Sequence, residues 1–404
     1  MKRTCAVVAL CMLLAGCSTA IPGEPVADPS ALKLDTGNYA TTPRTVAAIA
    51  AADAWQQEGF NMAEAVVAPF DIRPTLTVQS TAIETFSTSI IHPVQMVDFR
   101  DERKSDGFLT RDQTLKLLGT SFQTGFLAEA ADNATDPAVH LRSGLLRFQD
   151  SDAAARALQI MRDSAAETPA EIAKVRGAAV VANYPTFGRT RLAAAAQVGN
   201  LIAVSSATTR AATDAPELVS SILEAQVTKA TTYRQGAPLG QYRLIPMDKD
   251  GIMSRTLPSS VEAEPSVLGL SSRVHFADGY RSTRTHYMMT LDRDWYDKAT
   301  RNGIDLVAWT SESVVYRVRD RASAYAFANS SPDGVTTTSA PPESGDNRIP
   351  GLPRNANVCV HTTTSTGCTA IVGRYLVNSV HKTLQQARQA TAALYMINKA
   401  AGEN

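Results

Sequence analysis

Leu145-Leu146-Arg147-Phe148-Gln149-Asp150 is a short apolar run that closes on an aspartate, and Ala153, Ala154, Ala155, Ala157, Leu158 and Met161 follow it at helical spacing. Val315-Tyr316-Arg317-Val318-Arg319-Asp320 repeats the pattern 170 residues on, with Ala322, Ala324, Tyr325, Phe327 and Ala328 behind it. Each reads as a strand turning into a helix. The aspartate stands where an N-cap is wanted, because its carboxylate can accept from a backbone N–H of the first turn that has no partner inside the helix.

A second pair of landmarks lies downstream. Leu192 to Ala196, a turn at Gly199-Asn200, Leu201 to Ser205 and a helix from Asp214 to Lys229 form one unit. Val358 to Thr362, a turn around Thr366-Gly367, Thr369 to Val377 and a helix from Asn378 to Lys399 form the other. Gly199 and Gly367 are 168 residues apart, close to the 170 between the aspartates. The agreement points to a duplicated strand-helix-hairpin-helix module, against the alternative of chance similarity between two segments of mixed structure. The expected fold is α+β, with two related modules, each a mostly antiparallel sheet with helices packed on one face. The modules are expected at 36–240 and 241–404, with a long loop at 331–357 rich in Pro, Gly, Ser and Thr.

Local patterns fill in the rest. Asp214 and Glu217 read as a capping box, and Leu218, Val219, Ile222, Leu223 and Val227 line one helical face. Val380, Leu384, Ala387, Thr391 and Leu394 recur at four-three spacing, a stripe suited to packing on a sheet. Arg44 to Gly59 and Leu109 to Ala131 read as helical, and Phe99 to Gly107 as a charged surface loop. Arg273 to Phe276 and His286 to Met289 alternate polar and apolar residues, as half-buried strands do. Tyr233 to Pro265 is rich in Gly and Pro, with a turn-rich crossover at Pro246 to Gly251 and a boundary near Gly240.

The beginning of the chain carries an address. Lys2 and Arg3 precede an apolar run from Cys5 to Leu14, the layout of a secretory signal. That run is too short to cross a bilayer as a helix, which takes about 20 residues. It ends in Leu14-Ala15-Gly16-Cys17, which resembles the bacterial lipobox. Residues 1–16 are thus expected to be removed and Cys17 to be lipidated; an ordinary signal cut near Ala20 is the alternative. Residues 17–35, with Pro22, Gly23, Pro25 and Pro29, read as a flexible tether of roughly 20 to 30 Å reach.

Composition narrows the function classes. Lys plus Arg and Asp plus Glu are 39 each, so no global field favours nucleic acid. With Cys5 and Cys11 in the signal and Cys17 lipidated, Cys359 and Cys368 remain, and a pair in an exported chain is most simply a disulfide. A redox or metal site is the alternative, but the spacing is not CxxC and His361 alone does not complete a ligand set. Asp248-Lys249-Asp250-Gly251 and Asp292-Arg293-Asp294-Trp295-Tyr296-Asp297 cluster carboxylates that could suit calcium. Neither has the twelve-residue loop with a closing Glu, so a turn and a solvated helix start are the better readings. His92, His140, His275, His286, His361 and His381 show no metal-binding helical spacing, and neither GxSxG nor GxxxxGK occurs. No catalytic residue, cofactor or metal is expected.

The lipobox with its Pro-Gly tether, Leu34 to Tyr39, the Met247 to Pro258 crossover, Val315 to Phe327 and the two-cysteine hairpin together resemble a family of lipoproteins of unassigned function from mycobacteria, nocardiae and related actinobacteria. The resemblance brings no catalytic residues. It implies an envelope setting on the outer face of the plasma membrane. The expected function is a non-enzymatic binding lipoprotein, without a cofactor, for an apolar or envelope-derived ligand held in a groove between the modules. An envelope scaffold is the second reading and an enzyme with an unfamiliar site the third. The membrane is the expected partner through Cys17; a protein partner is unassigned.

Overall fold

The computed structural model describes residues 33–46, 51–80, 89–91, 116–117, 119–163, 172, 174–186, 188–236, 241–259, 278–330 and 347–403. The signal, Cys17, most of the tether, the Phe99 to Gly107 loop, the Arg273 to Phe276 strand, the boundary at Gly240 and most of the 331–357 loop lie outside them. Leu34–Asn404 forms one compact unit.

Two six-stranded sheets organise that unit. The first contains β1 (Ser89–Ile91), β2 (Phe122–Ala131), β3 (Val139–Phe148), β4 (Ala179–Thr186), β5 (Arg189–Val198) and β6 (Leu201–Thr209), in the order β1-β2-β3-β6-β5-β4. The second contains β7 (Gly279–Ser282), β8 (Leu306–Trp309), β9 (Val314–Arg317), β10 (Asn357–His361), β11 (Thr366–Val372) and β12 (Tyr375–His381), in the order β7-β8-β9-β12-β11-β10. All pairings are antiparallel. The two orders are the same, strand for strand. The helices are α1 (Ala51–Ala63), α2 (Pro69–Ile72), α3 (Ser151–Asp163), α4 (Asp214–Thr232), α5 (Thr283–Thr290), α6 (Arg293–Arg301), α7 (Arg321–Ser330) and α8 (Leu384–Ala400). α3 follows β3 as α7 follows β9, and α4 follows β6 as α8 follows β12.

The expected strand-to-helix turns form as their sequences dictate. Asp150 accepts from the Ala153 N–H at 2.8 Å, and Asp320 from the Ser323 N–H at 2.7 Å. The two later hairpins, β5-β6 and β11-β12, turn at glycines with positive φ, Gly199 at 62° and Gly373 at 56°, a conformation in which a Cβ is unfavourable. Gly373, rather than Gly367, is therefore the counterpart of Gly199. The chain turns earlier at Thr362 to Ser365, β11 opens at Thr366, and Thr369 to Val377 is split between two strands. Asn378 to His381, expected as the start of the last helix, completes β12 instead, and the helix starts after Thr383, whose side chain accepts from the Gln386 N–H.

The helices, expected on one face, divide between two faces in each module. In β5 and β6, Leu192, Ala194, Ala196, Leu201, Ala203 and Ala207 pack with α4, while Ala193, Ala195, Ile202 and Val204 pack with α3. Alternating side chains point to opposite faces of a strand. The run of alanines in β5 keeps both surfaces low, so a helix approaches each. In the second module Val307, Leu376 and Ile371 meet Ala324 and Phe327 of α7, whereas Ser379 of the opposite face bonds Ala387 and Thr391 of α8.

Four further expectations are corrected. Phe122 to Ala131, expected as part of a helix, is strand β2; burial of nearly every residue on both faces erases the alternation that marks a strand. His286 to Met289 lies in α5, capped by the Ser282 hydroxyl. Asp214 opens α4 without capping it, and Glu217 bonds Lys174 at 2.6 Å and Ser221 at 3.0 Å rather than closing a box. Arg44 lies before α1, outside any helix, and donates to Thr256 at 3.1 Å.

α1 joins the two sheets. The Gln57 amide donates to the Tyr280 carbonyl at 2.9 Å and accepts the Tyr280 N–H at 3.1 Å, so it pairs with β7 as a neighbouring strand would. Its neighbour Glu58, fully buried, accepts from Arg147 of β3 and from the Tyr233 hydroxyl, each at 2.5 Å, and from the Gly236 N–H at 3.1 Å. The seam where a groove was expected is thus crossed by buried hydrogen bonds.

Candidate functional site

The ends of β12, the β8-β9 turn and the β10-β11 turn meet at one corner of the second sheet. Two outside segments complete a cleft there, Asn38 to Ala40 and Leu257 to Ser259, and its volume is about 800 Å³. Each wall has a local cause. The β8-β9 turn is closed by Thr310, whose N–H donates to the Ser313 carbonyl at 2.9 Å and whose hydroxyl accepts the Ser313 N–H at 3.0 Å. That geometry leaves Glu312 at the tip. The Ser313 hydroxyl accepts from the Leu257 N–H at 3.0 Å, so the crossover is stitched against the same turn.

The N-terminal wall is fastened at both ends. The Gln389 amide of α8 donates to Asp35, the Arg44 N–H donates to the Ser254 carbonyl at 3.1 Å, and a turn between Thr36 and Tyr39 presents the tyrosine ring. Tyr39 lies 6.0 Å from the His381 ring, centroid to centroid. His381 Nδ1 is 3.8 Å from a Glu312 carboxylate oxygen, and the two side chains retain 11% and 14% exposure. Above them Val380 is 50% exposed, and Lys382 and Gln386 stand on the rim.

The electrostatics follow from partial burial. Burial pulls the His381 pKa down, opposed by Glu312, so the imidazole is neutral at pH 7. Burial, aided by Glu312, pushes the Tyr39 hydroxyl up, so it stays protonated. The base of the cleft therefore offers one carboxylate, a neutral imidazole and a phenol. Its serines are engaged elsewhere: Ser259 donates to Asp278 at 2.6 Å and accepts from the Ser311 N–H, and Ser365 bonds Thr362. Neither hydroxyl is paired with His381, so the geometry does not assemble a nucleophile and base.

Cys359 and Cys368 are joined in a disulfide, directly opposite one another in the β10-β11 register with Cα atoms 4.1 Å apart. The bond fastens the hairpin whose turn carries Ser365 into the cleft. His361 of the same hairpin bonds Thr366 at 2.9 Å. The carboxylates considered for calcium are occupied within the fold. Asp248 accepts the Met253 N–H at 2.6 Å, Asp292 caps α6 through the Trp295 N–H at 2.9 Å, and Asp250 meets Arg317 at 2.9 Å. Among the described residues no group of three or more His, Cys, Asp and Glu is arranged to hold a metal ion, and no helix is long and apolar enough to cross a membrane.

Besides the Glu58 and Arg147 cluster, two further buried polar groups lie elsewhere among the described residues. Arg281 is enclosed between the rings of Phe60 and Trp309, at 5.3 and 5.0 Å, and burial lowers its pKa to about 10. His286 sits beside it against Trp295. Glu129, Arg142 and His140 form a second cluster on the first sheet, with Arg142 Nε donating to Glu129 at 2.9 Å. Of the cleft residues, the sequence marked Tyr39 as the start of folded chain and His381 as one of six histidines, and it gave Glu312 no distinction. Their separation along the chain, 39 to 312 to 381, leaves no local spacing to read.

A family model described as "Domain of unknown function (DUF7373) N-terminal" matches residues 47–250, and one described as "Domain of unknown function (DUF7373) C-terminal" matches residues 257–397. Among solved structures, the extracellular domain of PknH from Mycobacterium tuberculosis is similar at 10% identity and a TM-score of 0.26, over 47% of this chain and 99% of that one. No curated protein matches the chain.

Proposed function

We propose, for a chain that belongs to the DUF7373 family and carries its N-terminal and C-terminal domains in order, that it is a membrane-anchored lipoprotein of the cell envelope that binds a small ligand without turning it over. The lipobox Leu14 to Cys17 supports the anchor, with Cys17 carrying the lipid and the membrane as partner. The Cys359–Cys368 disulfide supports an oxidising compartment outside the cytoplasm.

The observation that carries the binding reading is the cleft of about 800 Å³, within the range of small-molecule sites. Its lining is mixed. Val380, Leu257 and Pro258 supply apolar surface, and Tyr39, Glu312 and His381 supply polar atoms that can fix an orientation. An envelope-derived ligand with an apolar part and a polar head suits that lining better than a purely apolar one. The test is mass spectrometry of small molecules and lipids that copurify with the full chain from its native host, beside a Val380→Trp variant that fills the cleft. A compound that accompanies the wild type and is lost from the variant is the expected result. If nothing accompanies either, or both carry the same compounds, the binding reading falls.

A further inference from the structure

Three buried arginines meet acceptors of their own chain. Arg147 pairs with Glu58 at 2.5 Å, Arg142 with Glu129 at 2.9 Å, and Arg255 donates to the Gly402 and Ala401 carbonyls at the end of α8, at 2.9 and 3.1 Å. Arg281 of β7 is as deeply buried, at 4% exposure, and has no oxygen acceptor among the described residues. Its Nη1 points at the Met289 sulfur, 2.9 Å away, and its guanidinium carbon lies 5.3 Å from the Phe60 ring and 5.0 Å from the Trp309 ring. The edge formed by Nε and Nη2 donates to nothing among the described residues.

The surroundings hold no charge that could stand in for a carboxylate. His286 packs on the same Trp309 ring at 6.0 Å, and Tyr316 meets the edge of His286 at 6.3 Å. Burial, with the Arg281 charge added to it, holds the imidazole well below its ordinary range, and burial pushes the Tyr316 hydroxyl up to about 12, so both are neutral at pH 7. His286 Nδ1 is likewise buried without a hydrogen-bond partner. Rings and a thioether replace only part of the hydration that a guanidinium gives up, and a charge out of water is ordinarily balanced by an anion. A buried donor without an acceptor is a recognised mark of a bound ion or water.

From this cluster we propose that Arg281 anchors a buried site for one small monovalent anion, a halide or the carboxylate group of a ligand, held on its Nε and Nη2 edge. Two parallel N–H bonds on that edge match the two oxygens of a carboxylate, and a halide can bridge them. Phe60, Trp309, Met289 and His286 close round the guanidinium, which favours a compact ion over a bulky one. None of these residues lines the cleft, so the site stands apart from the ligand-binding reading. It joins α1 through Phe60, β7 and β8 through Arg281 and Trp309, and α5 through Met289, so an anion there braces the seam between the sheets.

The test uses the full chain in sodium gluconate at neutral pH and constant ionic strength, with chloride or formate replacing gluconate. Each is expected to raise the Tm saturably, by about 2 °C or more once well above its Kd. The protein is expected to broaden the chloride NMR line, formate to reverse the broadening, and the bulkier, doubly charged sulfate to leave it. Arg281→Met is expected to abolish both effects. Tighter binding of formate assigns the site to a ligand's carboxylate, and tighter binding of chloride to a free halide. Should Arg281→Met fail to fold, Arg281→Lys keeps the charge and gives up the fork, and is expected to weaken formate about tenfold relative to chloride. No chloride or formate dependence in the wild type means that water alone meets the buried donors, and overturns the proposal. Displacement of chloride by sulfate as readily as by formate, effects that survive Arg281→Met, or an unchanged ratio in Arg281→Lys overturn it too.

Discussion

At the scale of single residues, several charges are taken out of water and are costly to leave without a partner. Arg147 and Glu58 are both fully buried, and Arg147 also stacks 5.0 Å from the Trp55 ring. A buried pair is costly to break because the survivor is left without its counter-charge. Arg147→Met should therefore cost about 3 to 5 kcal/mol in urea unfolding, with part of the loss recovered by adding Glu58→Gln. A loss below about 1 kcal/mol would mean that the pair is not the clasp between α1 and the first sheet. His140 and His286 give a second prediction. Burial holds both pKa values well below 6.5, with the cations Arg142 and Arg191 adding to it for His140 and Arg281 for His286. The unfolded chain then takes up protons that the folded chain refuses, so stability is full above the ordinary histidine range and is lost as pH falls through it. Thermal melting should be level near pH 7.5 and decline below about 6.5, and His286→Phe should flatten the decline. An unchanged slope in that variant would place the acid sensitivity elsewhere.

At the scale of elements, the helix caps at Asp150 and Asp320 are the features that tie sequence to the matching element order of the two modules. Asp150→Ala and Asp320→Ala should each cost about 1 kcal/mol, measured by chemical unfolding, and the double variant should lose the sum because the sites belong to different sheets. A cap that costs nothing would show that its helix is held by packing alone. The caps were legible because an N-cap is a local device: acid, three residues, backbone N–H. The hairpin landmarks were half legible. Gly199 marks its turn, but the sequence points to Thr366-Gly367 instead of the Thr362 to Ser365 turn because glycine favours turns, whereas Gly367 is fully inside β11, paired with Val360 and Val380. β2 reads as helical for a different reason. A strand covered by helices or loops on both sides loses its period of two, and Phe126, Leu127, Ala128, Ala130 and Ala131 then satisfy a helical template as well. α5 failed in the opposite direction, since four residues from His286 to Met289 alternate by chance within a helix of eight. The two-module α+β architecture survived these errors because the order of elements, and not their individual assignment, carried it.

At the scale of the whole molecule, one strand order occurs twice with different outcomes. Both sheets run in the same order and carry helices at the same points, yet one corner is sealed by Asp136, Arg189 and Arg210 and the other is an open cleft. Nothing in the sequence could show this, because the cleft is assembled from residues near 39, 258, 312, 365 and 381. Asn38 to Ala40 supplies one of its walls. Among the described residues two large apolar side chains stand out in solvent, Val380 at the cleft and Leu244 in the crossover between the modules, at 50% and 59% exposure. They make the central claim directly measurable. A photo-crosslinking benzoylphenylalanine is placed at Val380 or at Leu244 in the full chain, irradiated in the native host, and the adducts are weighed by mass spectrometry. The binding account requires a discrete adduct of small-molecule mass at position 380 and none at 244; the same products at both positions, or none at 380, would contradict it.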